Sequence, residues 1–264
     1  MKLLIKIGGT LLDAPATRDS LARQIAAAAG LNHQVVVVHG GGKQITRFLD
    51  ERGIPSRFVN GLRVTGPETM DAVVKVLAGT VNKQLAAALS EAGALPVGLC
   101  GLDAGLVQAE ELSPELGAVG RVTGSNPALL HLLLKHGYLP VVACIGGNRE
   151  GRLFNINADQ MAAACARAFG ADLLLFLTDV GGVLDATGQT IPRLAPTAAR
   201  ELVTSGVAHG GMQAKLEAAA SAVHGGVGQV RIVLGAAESV VLKAVAGEAI
   251  GTALEAEPHP LEAK

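Results

Sequence analysis

Short apolar runs alternate along this chain with longer Ala- and Leu-rich segments whose apolar positions recur every three or four residues. The first pattern marks buried strands and the second amphipathic helices. Residues 3–7 predict a strand that stops at Gly8-Gly9, followed by a helix over about 17–29. Residues 35–38 are four consecutive valines, the pattern of a strand covered on both faces. His39-Gly40-Gly41-Gly42 closes that strand, and a helix over about 44–51 comes next. Residues 58–65 predict a small strand or hairpin turning at Asn60-Gly61. From Pro67, suited to a first helical turn, one long helical pattern runs to Ala92 and ends before Gly93.

Beyond it the pattern gives a strand over 95–100, a loosely alternating stretch over 106–123 that reads as an antiparallel flap, and a helix over 127–136. A buried strand over 139–145, a turn over 146–151 and a helix over 158–169 follow. Residues 173–178 are the most apolar strand of all. Helices near 198–204 and 212–223, a strand at 230–234, a helix at 238–246 and a last strand near 252–254 complete the series. Strands alternating with helices imply parallel pairing through right-handed crossovers. The expected fold is therefore α/β: an open, mostly parallel sheet with helices on both faces. No linker interrupts it, so two lobes are expected to share one continuous sheet, residues 1–175 and 176–264, with a soft boundary near 172–179.

Composition narrows the function. The formal net charge is −1, with 22 basic and 23 acidic residues, so no field draws in nucleic acid or an anionic membrane. Trp is absent and there is one Tyr, leaving few platforms for stacked bases. Cys100, Cys144 and Cys165 lie far apart in apolar runs without zinc spacing, which predicts buried reduced thiols and a cytoplasmic chain. No apolar run approaches membrane-spanning length, and the N-terminus lacks a signal-peptide core.

Candidate chemistry clusters where strands end. Four glycine clusters, Gly8-Gly9, Gly40-Gly41-Gly42, Gly181-Gly182 and Gly210-Gly211, are read as following strand-like runs. Open parallel sheets collect ligands at those ends, where glycine lets backbone N–H groups approach an anion. The P-loop and Rossmann glycine signatures are both absent, and no G-x-S-x-G elbow accompanies the histidine–glycine run. Lys6 stands alone between isoleucines in a strand expected to be buried. Lys215 follows Gly210-Gly211 in the first turn of a helix, where an ordinary solvated lysine is an equal reading. Arg63 offers a fork of donors suited to a carboxylate. Asn157 suits a helix N-cap, whereas Asn155 and Asp159 beside it have no such structural role.

Taken in order, Lys6-Ile7-Gly8-Gly9, His39-Gly40-Gly41-Gly42, Asn60-Gly61-Leu62-Arg63-Val64-Thr65, Asn155-Ile156-Asn157-Ala158-Asp159, Thr178-Asp179-Val180-Gly181-Gly182-Val183-Leu184 and Gly210-Gly211-Met212-Gln213-Ala214-Lys215 span most of the chain. This series resembles the amino-acid kinase family, in its acetylglutamate branch. The resemblance implies an α/β/α sandwich whose N-terminal lobe holds an acyl amino acid and whose C-terminal lobe holds ATP. It implies that Gly41 and Gly42 meet the acceptor through backbone N–H groups while Arg63 and Asn155 hold its α-carboxylate end. Lys6 and Lys215 would flank the transferring phosphoryl group, with Asp159 orienting both. Gly8, Gly9, Asp179, Val180, Gly181, Gly182, Val183, Leu184, Val207, Ala208, His209 and Gly211 would line the nucleotide pocket.

The expected reaction transfers the γ-phosphoryl group of ATP to the side-chain carboxylate of N-acetyl-L-glutamate, a step of arginine biosynthesis. A carboxylate with a pKa of about 4.3 is already an ionised nucleophile at neutral pH, so no general base is required. The demand is for positive charge around a polyanion. Magnesium is expected on the nucleotide rather than in a protein cage. The absence of an N-terminal extension predicts an arginine-insensitive homodimer. Two rival readings remain: a kinase acting on an amino acid linked to an acidic carrier protein, which the acidic stretch from Gln108 to Glu115 disfavours, and a non-catalytic sensor, which the presence together of Lys6, Asp159 and Lys215 disfavours.

Overall fold

The apolar runs assemble the eight-stranded sheet that forms the centre of the molecule. The computed structural model describes residues 1–256; the remainder of the expected second lobe, 257–264, lies outside the described residues. In chain order the strands are β1 (Lys2–Ile7), β2 (Gln34–His39), β3 (Phe58–Val59), β4 (Leu62–Arg63), β5 (Pro96–Cys100), β6 (Val107–Glu111) and β7 (Val119–Ser125). They continue with β8 (Leu139–Ala143), β9 (Ile145–Gly147), β10 (Leu153–Ile156), β11 (Leu173–Thr178), β12 (Arg193–Leu194), β13 (Gln229–Leu234) and β14 (Thr252–Leu254). The main sheet has the order β12-β14-β13-β11-β1-β2-β8-β5. Its pairs are parallel except β13 with β14. The expected open, mostly parallel sheet is thus present, and the soft boundary near 172–179 falls on β11 itself, beside β1.

The helices are α1 (Gly9–Asp13), α2 (Pro15–Gly30), α3 (Gly42–Asp50), α4 (Pro67–Val73), α5 (Asn82–Glu91), α6 (Ala128–Lys135), α7 (Ala158–Phe169), α8 (Pro196–Thr204), α9 (Gly210–His224) and α10 (Val240–Val245). The four-valine run lies inside β2 with every side chain buried, as its lack of alternation requires. The hairpin of β3 and β4 turns at Asn60 and Gly61, both at positive φ (50° and 78°).

Three departures from the sequence pattern matter for the site. The long helix from Pro67 is not one α-helix: Val74–Val81 winds as a π-helix between α4 and α5. Wider turns there let Val76, Leu77, Val81 and the neighbouring Asn82 all turn inward, each 3 % exposed or less. The flap is more than a hairpin, because β6 and β7 close with β9 and β10 into a small four-stranded barrel. Gly146 in β9, within the expected turn, instead fits a strand where a Cβ would press on Ala109 Cβ and Ile156 Cγ1, each 3.2 Å away. Finally, the glycine pairs at Gly9, Gly42 and Gly210 are first turns of helices rather than loops preceding them.

Candidate active site

Lys6 occupies the middle of the sheet, opposite Val38 on β2 and Phe176 on β11, and is 5 % exposed. An ammonium group there must find a countercharge. It finds Asp159, whose Oδ1 lies 2.7 Å from Lys6 Nζ. Asp159 sits in the first turn of α7, where the helix dipole favours an anion. Asn157 caps that helix, its Oδ1 accepting from the backbone N–H of Asp159 (2.9 Å) and Gln160 (3.2 Å). From the opposite direction Lys215, on the second turn of α9, brings its Nζ to 3.5 Å from Asp159 Oδ2 and donates to the Gly211 carbonyl at 3.3 Å. Burial alone would raise the carboxyl pKa of Asp159, yet Lys6 and then Lys215 hold it below the usual carboxylate range. One ionised carboxylate therefore joins two cationic amines from distant parts of the chain.

The first two glycine turns meet beside this triad. Gly8 N–H donates to the Leu177 carbonyl and Gly40 N–H to the Ile7 carbonyl, each at 3.1 Å, carrying the sheet ladder one residue past the strands. Gly9 then packs on the neighbouring turn with no side chain between: a Cβ on it would lie 2.8 Å from Gly41 Cα, 2.9 Å from Gly41 N and 3.1 Å from Gly42 N. Gln44 spans the two turns, donating from Nε2 to the Gly9 carbonyl at 2.9 Å. No side chain caps α3 or α9, in contrast to α7. Their first-turn N–H groups are thus left without a side-chain cap, the condition in which a helix N-terminus can receive an anion.

A cavity of about 180 Å³ adjoins the glycine turns and is lined by Gly41, Gly42, Arg63 and Asn155, together with Leu77 and Cys144. The structure thus brings together all four residues expected at the acceptor. Arg63 is 8 % exposed, donates to Ser56 Oγ (2.6 Å), Thr46 Oγ1 (2.7 Å) and the Gly42 carbonyl (2.9 Å), and lies over the Phe58 ring. Burial draws its pKa below the ordinary guanidinium value, although Asp50 opposes the shift. Asn155 donates to Thr65 Oγ1 at 3.1 Å, and the Thr65 hydroxyl donates to the Arg63 carbonyl at 2.7 Å. Arg63 and Asn155 are therefore braced through one buried threonine. A larger cavity of about 590 Å³ between α7, α8 and α9 contains none of these residues, so volume does not mark the site.

The residues expected on the nucleotide side make a mostly exposed rim. Asp179, Val180, Gly181 and Leu184 follow β11, Val207 and His209 lead into α9, and Gly211 lies in its first turn, all exposed. Gly182, Val183 and Ala208 are buried instead: Val183 N–H donates to Thr252 Oγ1 at 2.8 Å, and Ala208 N–H to the Leu202 carbonyl at 2.8 Å. The structure therefore places the Val183 and Ala208 N–H groups in internal hydrogen bonds rather than on the exposed surface. The Gly8-Gly9 turn is bonded to the Leu177 carbonyl of β11 and packs on Gly41 of the cavity.

Sequence reasoning passed over Gln44, Thr46, Ser56, Thr65 and Asn82. For Gln44 and Asn82 a signal was present, since each is a polar residue at an inward position of a helical pattern. The acidic flap also carries less free charge than its sequence suggests, because Glu110 pairs with Arg121 and Glu111 with Arg152. Its repulsion of an acidic carrier is correspondingly weakened.

Comparison with known proteins gives a consistent picture. A model described as the amino acid kinase family matches residues 1–234. The chain is 63 % identical to acetylglutamate kinase of Solibacter usitatus, over 96 % of this chain and 98 % of that one. It is 44 % identical to acetylglutamate kinase of Koribacter versatilis, over 88 % and 90 %. Among solved structures, N-acetylglutamate synthase from Neisseria gonorrhoeae, complexed with coenzyme A and N-acetyl-glutamate, superimposes with a TM-score of 0.87 at 26 % identity. That match covers 98 % of this chain and 60 % of the longer synthase chain.

Proposed function

The chain belongs to the amino acid kinase family, and from that premise we propose that it transfers the γ-phosphoryl group of ATP to the side-chain carboxylate of N-acetyl-L-glutamate. The products are N-acetyl-L-glutamyl 5-phosphate and ADP, in arginine biosynthesis. One observation carries the mechanism: Lys6 and Lys215 converge on Asp159 beside glycine turns that touch backbone to backbone.

In this reading the acceptor lies in the cavity of Gly41, Gly42, Arg63 and Asn155, with its α-carboxylate end toward Arg63 and Asn155. Its γ-carboxylate, already ionised, attacks the γ-phosphorus in line with the leaving ADP oxygen. Lys6 and Lys215 stabilise the charge spread over the equatorial oxygens, and Asp159 keeps both amines aimed at one point. Backbone N–H groups of the glycine turns add donors that cost no reorganisation. Residues 1–175 would serve the acceptor and residues 176–264 the nucleotide, along the rim named above. Magnesium fits on the triphosphate: both Asp159 oxygens are taken by ammonium groups, and phosphate oxygens with waters suit the ion. Bound there, it would supply positive charge to the phosphates in addition to that of Lys6 and Lys215.

A cytoplasmic homodimer is the accompanying inference. β5 forms an edge of the main sheet with Pro96, Val97, Leu99 and Cys100 half-buried, and Leu95 before it is 60 % exposed. A second copy would cover that edge. The cysteines are free thiols, which suits a reducing compartment. The enzyme is tested by ADP release that depends on N-acetyl-L-glutamate, with glutamate, aspartate and N-acetyl-α-aminoadipate in parallel. Release that ignores N-acetyl-L-glutamate, or prefers another acceptor, would overturn the assignment.

A further inference from the structure

We propose that His39 and Asn82 form a positioning pair that sets the Gly40-Gly41 peptide for phosphoryl transfer. This inference rests on the reading above, which puts the glycine turn at the reacting groups. His39 ends β2 and is fully buried, and both of its ring nitrogens are engaged. Nδ1 lies 3.0 Å from the Gly40 carbonyl and Nε2 lies 3.0 Å from Asn82 Nδ2.

The tautomer follows from Asn82. Its Oδ1 accepts from Lys83 Nζ at 3.2 Å, and its Nδ2 donates to the Val141 carbonyl on β8 at 2.9 Å. The second Nδ2 proton therefore points at His39 Nε2, which must be the acceptor. The ring proton is then on Nδ1 and is donated to the Gly40 carbonyl. A neutral imidazole of one fixed tautomer thus holds the peptide between Gly40 and Gly41.

The surroundings converge on the same peptide. Asn82 is delivered at the end of the π-helical Val74–Val81 segment, and that segment also presses Leu77 and Val81 on Gly41, whose Cβ would lie 2.5 Å from Leu77 Cδ2 and 3.3 Å from Val81 Cγ2. π-helical turns recur where a side chain must be re-aimed at a functional site. Gly98 on β5 leaves room for the Asn82 amide, since a Cβ there would collide with Asn82 Oδ1. The Cys144 thiol, from the acceptor cavity, donates to the His39 carbonyl at 3.0 Å. A buried imidazole needs partners for both nitrogens in any role; what ties this pair to the glycine turn is that its Nδ1–H bond falls on the Gly40 carbonyl while the segment leading to Asn82 packs on Gly41.

The test is Asn82→Asp in the full chain. A carboxylate facing Nε2 repels the neutral ring's lone pair, and the ring satisfies both neighbours only as imidazolium, with Nδ1–H to Gly40 and Nε2–H to the introduced carboxylate. Lys83 and the Cys144 thiol are the other ionisable groups facing this unit. The expected result is a kcat at pH 8 reduced at least about tenfold, recovering toward pH 6, with the ATP KM unchanged. The unsubstituted enzyme lacks that recovery. A loss of equal size at every pH, or one that tracks the unfolded fraction in thermal melts, overturns the proposal. Should the variant fail to fold, ¹⁵N-histidine NMR of the unsubstituted protein decides: His39 must carry its proton on Nδ1 at every pH from 5 to 8. An Nε2–H tautomer, or titration in that range, overturns the pair. These outcomes separate from failure of the enzymatic reading, which would show as no N-acetyl-L-glutamate-dependent ADP release before any substitution.

Discussion

Lys6 Nζ lies 2.7 Å from Asp159 Oδ1, and both side chains are 7 % exposed. A buried ion pair of this kind is a poor source of stability, since desolvating two charges offsets most of their attraction. Its placement at the carboxyl ends of parallel strands, with Lys215 on the second oxygen, is explained by chemistry that needs concentrated positive charge.

Substituting Lys6→Ala or Lys215→Ala is accordingly expected to lower kcat by roughly 10²–10³-fold, the scale of losing one preorganised charge donor, with KM values little changed. Steady-state kinetics in both substrates check this, and defects confined to KM would contradict it. Asp159→Asn leaves two buried amines facing a neutral amide. It should lower kcat and the melting temperature together, whereas a surface aspartate would affect neither.

Arg63 should behave differently. Its guanidinium is held in place by Ser56, Thr46 and Gly42 before any ligand arrives, so its charge and its remaining Nε–H and Nη1–H donors are preorganised for a carboxylate. Arg63→Ala is expected to raise the acceptor KM by about tenfold or more, the scale of a lost charge-assisted hydrogen bond, with a smaller effect on kcat. Arg63→Lys should recover little of it, because an ammonium group with three protons cannot keep the bonds to Ser56, Thr46 and Gly42 and also serve a ligand. Full recovery by lysine would show that only charge matters there.

How much of this was visible in the sequence depends on range. Lys6 stood out because a lone cation between isoleucines in a strand violates the local pattern. Arg63 and Asp159 were legible through the motifs around them. What stayed hidden was contact between distant segments. Nothing in the local pattern around Asn82 says that it reaches His39, or that Gly9 rests on Gly41. The π-helix escaped for a related reason: Val74–Val81 fits an α-helical period, and its packing of Leu77 and Val81 on Gly41 is a contact between distant segments. The small barrel was missed because Gly146 has the composition of a turn and the packing of a strand.

Acid should weaken the fold through His39. Burial, with Lys83 contributing, lowers its pKa from 6.5 to about 4 although the Gly40 carbonyl opposes the shift. Between those values the unfolded chain binds a proton that the folded chain refuses, so stability falls as pH drops through that window. The loss attributable to this group is about 2 kcal/mol by pH 5. Urea midpoints at pH 7 and pH 5 should show it, and His39→Gln should shrink the difference. An undiminished difference would assign the acid sensitivity to other groups.

Gly9→Ala tests the contact between the two glycine turns. The added methyl would meet Gly41 Cα at 2.8 Å and Gly41 N at 2.9 Å, both backbone atoms rather than a flexible side chain. Neither turn can yield cheaply: Leu77 and Val81 press on Gly41 from its other side, and Gly40 N–H is bonded to Ile7. The turns must therefore part, displacing N–H donors from the reacting groups, and a misplacement on the order of 1 Å costs about 10²-fold in rate. The expected outcome is a folded protein with kcat reduced by that order. Gly30→Ala is the matched control, because a Cβ at that position in α2 meets nothing within 4 Å. It should leave kcat unchanged and hold or raise stability by up to about 1 kcal/mol. Equal kinetics for the two variants would mean that the close approach of Gly9 to Gly41 has no part in catalysis.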